Sequence, residues 1–113
     1  MIKIIFYKNN KKYVGFECSG HAHFADYGND VICASVSSIT QTACLGFLKV
    51  LKLKVNMVKD DDKGYLKLVT PKCLSEEDEK SCNLILNVAF VALKDLESGY
   101  SKHIKIEEKS YVY

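Results

Sequence analysis

The chain has 113 residues, 48% of them apolar and 27% charged, which fits one soluble globular domain over residues 1–113 with a modest core. The formal charge is only +2 and every basic residue is a lysine, so arginine's bidentate reading of guanine or phosphate is excluded and no direct nucleic-acid partner is expected. Five cysteines, an odd count with no secretory signal ahead of them, are expected to be reduced cytoplasmic thiols; the apolar start, residues 1–6, is too short and too alternating to cross a membrane.

In chain order, residues 2–7 and 13–18 are β-rich and flank Lys8-Asn9-Asn10-Lys11-Lys12, a hairpin signal because asparagine tolerates positive φ. Val14, Phe16 and Cys18 alternate with Gly15 and Glu17, predicting one buried face and one wet one. That strand delivers the chain to Gly20 and His21. From Val31 to about Leu53 the period changes. Ile32, Val36, Ile39, Ala43, Phe47 and Val50 recur every three or four residues, giving a helix with a wide apolar face beside a more polar stripe of Cys33, Ser37, Thr40 and Cys44. Asn29 or Asp30 is its expected N-cap.

Residues 55–58 and 65–69 then flank Asp60-Asp61-Asp62-Lys63-Gly64, a second hairpin whose acidic run reads as a solvated turn. Thr70-Pro71-Lys72 ends the strand, since proline cannot continue a ladder. Ser75 caps a second helix that opens on Glu76, Glu77 and Asp78, buries Cys82, Ile85, Ala89, Leu93 and Leu96, and closes at Gly99. Residues 103–107 form a last strand, with His103 on the surface at its head and Ile104 and Ile106 on one face. The order ββαββαβ predicts an α+β fold, a two-layer sandwich with two helices on one face of a mainly antiparallel sheet.

The chemistry concentrates between Gly20 and Ser38. Capped by Asp30, Cys33 lies in the first helical turn, where the dipole favours thiolate provided the Asp30 carboxylate does not offset it. His21 is a better base than His23, because Gly20 ahead of it permits unusual backbone geometry and close approach. Other readings of the same residues stay open at this point. Cys33 and His21 could be structural in a small binding module. Cys18, His21, His23 and Cys33 have zinc-binding side chains, but their spacing matches no standard knuckle, so no metal is assigned. Lys49, Lys52, Lys54 and Lys59 could serve a non-catalytic ribosome- or RNA-associated module, although no aromatic RNA-reading motif accompanies them. Cys44 and Cys82 are expected in or beside the core, and Cys73 at the surface.

Gly20-His21-Ala22, then Tyr27-Gly28-Asn29-Asp30-Val31-Ile32-Cys33-Ala34, with Ser37 one turn later, resembles the Prp-type ribosomal-processing cysteine proteases over essentially the whole chain. Ser35 departs from the alanine or glycine common there, and fits the same space. The resemblance implies a catalytic dyad of His21 and Cys33, with Gly20, Gly28, Asp30 and Ser37 shaping the loop and substrate cleft. It further implies a homodimer without cofactor that trims an N-terminal extension from the large-subunit ribosomal protein L-twenty-seven. Backbone N–H groups at the helix start are expected to hold the oxyanion, Asp30 either orients His21 or only caps the helix, and the loop from Ala22 to Asn29 is suited to close over a bound peptide.

Overall fold

The computed structural model describes residues 1–22, 25 and 30–113. Five strands, β1 (Ile2–Asn9), β2 (Lys12–Ser19), β3 (Asn56–Asp60), β4 (Tyr65–Val69) and β5 (Ile104–Ser110), form one sheet in the order β3-β4-β2-β1-β5. Helices α1 (Val31–Leu45) and α2 (Glu76–Gly99) follow β2 and β4, giving the expected ββαββαβ order. All strand pairs are antiparallel except β1 with β5, because α2 returns the chain to the start of β1. Ile4, Phe6, Phe16, Leu68 and Ile104 project from one face of the sheet into a single core with Ile32, Phe47, Leu86 and Leu93 of the helical layer.

Asn10 and Lys11 both take positive φ (52° and 65°), the two-residue turn whose twist suits a hairpin. Further along, the register shifts after Tyr7↔Gly15, and Lys8 pairs with Tyr13. Val14 is thus the extra residue of a bulge, and Tyr13 rather than Val14 reaches the core, packing its ring on Phe6 and Phe90.

The first helix differs from its periodicity in two ways. Its α-helical part ends at Leu45, and Gly46–Val50 is π-helical. Its buried line runs through Ile32, Val36, Thr40, Ala43, Cys44 and Phe47, while Ile39 is half-buried and Val50 is 76% exposed. Thr40 can face inward because its hydroxyl donates to the Val36 carbonyl one turn back, at 2.9 Å. The stretch Val31–Val50 is also long and apolar enough to span a membrane, but its buried line is part of the domain core.

In α2 the buried stripe passes through Leu86 instead of Ile85, which turns toward Gly46 of the first helix; Leu96 is only partly buried. Gly99 is the last helical residue and Tyr100 the cap, so the expected glycine stop falls one residue further on. The last strand continues to Ser110, three residues beyond its expected end, because the parallel ladder with β1 runs on to Lys8↔Ser110.

Candidate active site

The start of α1 is set by Asp30. Its backbone is extended, its Oδ1 accepts from the N–H groups of Ile32 (3.0 Å) and Cys33 (3.1 Å), and its carbonyl accepts from Ala34 N–H (3.1 Å). The second carboxylate oxygen accepts from Ala25 N–H at 3.4 Å, tying the incoming loop to the helix. Asp30 is therefore the cap, and the alternative, Asn29, lies outside the described residues. Cys33 sits in the first turn, half-buried.

At the end of β2, Gly20 turns the chain with φ +88°, and a Cβ there would lie 2.6 Å from the Met1 carbonyl oxygen. No other residue type combines that dihedral with that approach. Of the next two residues, Ala22 faces the helix start. Ala22 N–H donates to Cys33 Sγ at 3.3 Å, the Met1 nitrogen donates to the His21 carbonyl at 2.7 Å, and His103 Nδ1 lies 2.9 Å from the Ala22 carbonyl. On the other side, Gly64 of the β3–β4 turn closes on the imidazole. A Cβ on Gly64 would meet His21 Cε1 at 2.8 Å and Nε2 at 3.0 Å.

These elements enclose an open cleft of about 240 Å³ whose lining includes Gly20, His21, Cys33 and Ser37, together with Thr40, Gln41, Lys59, Asp61, Gly64 and Tyr65. Ser37 accepts a hydrogen bond from Gln41 Nε2 (2.8 Å) on the cleft wall. Four predicted site residues thus meet in one cleft, and Asp30 supports it from beneath. Gly28 lies outside the described residues, as do His23, Phe24 and Tyr27 of the expected closing loop. Two contributors escaped the sequence reading. Gly64 was legible only as a turn, and His103 is half-buried against the loop rather than on the surface.

A larger hollow of about 620 Å³ between α1 and α2 is lined without any ionisable side chain, so the chemistry belongs to the smaller cleft. The model of the family described as cysteine protease Prp matches residues 1–105. The chain belongs to the cysteine protease Prp family. It is 26% identical over 98 residues to the ribosomal processing cysteine protease Prp of Bacillus subtilis, covering 87% of this chain and 88% of that one. The Mycoplasma genitalium protein of the same name is 32% identical over 92 residues, 81% of this chain and 85% of its own. Among solved structures, the S. aureus Prp with a covalently linked product peptide superposes with a TM-score of 0.85 at 23% identity, over 96% of this chain and all of that one. Membership makes this chain a cysteine protease, and the non-catalytic module is set aside.

The electrostatics of this Prp cleft depart from expectation. Burial pushes the Cys33 thiol above its ordinary value; Ala22 N–H acts against this, and the Asp30 charge adds to the rise. The helix start does not yield a lowered thiol, because burial outweighs it and the capping carboxylate adds to the rise. Nor are the N–H groups of Ile32 and Cys33 ready for an oxyanion, since Asp30 already occupies them. Of the other cysteines, Cys18, Cys44 and Cys82 are buried and Cys73 is exposed. Burial pushes Cys18 up to about 12, which leaves it unreactive at neutral pH.

Asp30→Asn separates the two roles of the cap. Asparagine caps about as well as aspartate, so stability should hold, while removal of the negative charge should let Cys33 ionise at lower pH. Iodoacetamide alkylation followed against pH should show a midpoint below that of wild type. A midpoint that stays put would show that the Asp30 charge does not act on the sulfur.

Proposed function

We propose that this protease removes a short N-terminal extension from the large-subunit ribosomal protein L-twenty-seven, using Cys33 as nucleophile and His21 as general base and acid. The observation that carries this is the meeting of both side chains in one open cleft, with Ala22 N–H already directed at the sulfur. The relatives' role as ribosomal processing proteases supports the substrate, and the S. aureus complex supports a peptide as the ligand.

In the resting site the thiol carries its proton, as its raised ionisation implies. His21 takes that proton as Sγ attacks the scissile carbonyl carbon, and the tetrahedral oxygen gains the negative charge. Collapse breaks the C–N bond and His21 returns the proton to the leaving amine. Water, deprotonated by His21, then cleaves the thioester, releasing the trimmed-off acid and restoring the thiol. Gly20 turns the chain into His21 and Gly64 packs on its imidazole in the cleft that Cys33 also lines, and Ser37 and Gln41 form the wall along which the peptide lies.

The test is incubation of the purified protein with the host's ribosomal protein bearing its extension, read by intact mass. One cleavage at a single bond is expected. An unprocessed substrate alongside a folded, monodisperse enzyme would sink this reading.

The enzyme acts as a homodimer in the cytoplasm, a setting that its five free thiols suit. The hollow between α1 and α2 is bordered by exposed apolar side chains, with Leu84 65%, Val88 62% and Val50 76% accessible. With no ionisable group in its lining, a second copy can cover it without desolvating a charge. Val88→Glu, which places a carboxylate there, should leave the monomer folded and shift sedimentation toward the monomer. A wild type that sediments as a monomer at high concentration would contradict the dimer.

A further inference from the structure

We propose that His103 is a positioning residue of the active site, holding Ala22 so that its N–H stays on Cys33 Sγ and His21 stays turned into the cleft. The inference rests on the Cys33–His21 reading above. Ala22 donates its N–H to the nucleophile's sulfur, and it is held from several sides. Its N–H points at the sulfur (3.3 Å), the carbonyl of the same peptide group, that of His21, accepts from the Met1 nitrogen (2.7 Å), and its own carbonyl faces His103 Nδ1 (2.9 Å). A carbonyl can only accept, so the proton of this contact resides on His103 Nδ1.

His103 is well placed to serve as a fixed point. Its own carbonyl accepts from Ile2 N–H (2.8 Å) and its N–H donates to the Tyr100 carbonyl (2.8 Å), where β5 enters the sheet beside β1. The sheet edge thereby sets the position of the imidazole, and the imidazole sets the position of the loop. Ala22 itself is only 2% exposed, so water has little access to replace a lost donor at that residue. Without the imidazole, the peptide on either side of Ala22 can rotate, and both consequences fall on the nucleophile. The sulfur loses a donor that favours its charged form, and the neighbouring His21 loses its setting.

The experiment compares wild type, His103→Phe and His103→Asn. Phenylalanine keeps the ring and removes the donor; the asparagine amide can place an N–H near the original Nδ1. Three quantities are read for each: melting temperature, kcat and KM on the extended ribosomal substrate, and the pH midpoint of Cys33 alkylation in a Cys73→Ala background. His103→Phe should lower kcat about tenfold with little change in KM, and move the alkylation midpoint upward. His103→Asn should bring both back toward wild type. A folded His103→Phe protein with unchanged kcat and midpoint would overturn the inference. So would a loss that follows melting temperature alone and is not restored by asparagine. Alkylation needs no substrate, so it decides the role of His103 even where wild type leaves the ribosomal protein uncut, a result that would overturn only the substrate reading.

Discussion

Cys33→Ala should abolish trimming of the extended ribosomal protein, with a loss of roughly ten-thousand-fold or more, because no other thiol can substitute for it. Cys18 lines the same cleft but is buried, with its ionisation pushed up to about 12, and Cys44 and Cys82 are buried as well. Exposed Cys73 precedes α2 and does not line the cleft, so Cys73→Ala should cleave at the wild-type rate. His21→Ala should lose about a thousand-fold, the contribution of a general base that must both take and return a proton. The raised thiol sharpens this difference between the two sites. An enzyme that stored a ready thiolate would keep part of its attack without the imidazole. Here the proton must leave as the bond forms, so loss of the base falls on the acylation step. Wild-type activity should accordingly rise with pH as the thiolate becomes accessible, and alkylation of Cys33 should have its midpoint above the ordinary cysteine value of about 8.5. A His21→Ala protein that trims at the wild-type rate would remove the imidazole from the mechanism.

What the sequence disclosed and what it withheld divide along contact distance. Asp30 capping Cys33's helix turn is an interaction across three residues, and residue type and position alone narrowed it to Asn29 or Asp30. The two hairpins were equally local: asparagine in one turn and Asp-Lys-Gly in the other announce positive φ, found at Asn10, Lys11 and Gly64. The inward direction of Thr40 was not readable, because a hydroxyl satisfied by its own helix behaves as an apolar group without looking like one. The sign of the Cys33 shift depended on burial, which spacing does not encode, and the condition attached to the dipole argument, the Asp30 charge, proved to matter. Contacts of long separation were the least visible. His103 meets the Ala22 carbonyl across 81 positions, and only the parallel placement of β5 beside β1 brings it there.

Gly64 is the other such contact, and Gly64→Ala should lower kcat about a hundred-fold while leaving the fold intact. Two separate burdens fall on this position. Its φ of +59° disfavours any Cβ, at a cost of about 1–2 kcal/mol for alanine. The added carbon would also stand 2.8 Å from the Gly20 carbonyl oxygen and within 3.0 Å of the His21 imidazole nitrogen Nε2. The carbonyl is backbone at a residue already held against Met1, so it yields little, and the side chain of His21 gives way instead. A displacement of about 1 Å in a proton-transferring group is enough for a loss of about a hundred-fold. Gly64→Asn separates the two burdens, since asparagine tolerates left-handed φ but still carries the Cβ. Its melting temperature should recover toward wild type while kcat stays low. If Gly64→Asn recovered both, backbone strain in the turn would account for the alanine defect, and the contact with His21 would have no part in it. If kcat alone remained depressed, the β3–β4 turn would be the wall that holds the imidazole in place within the cleft.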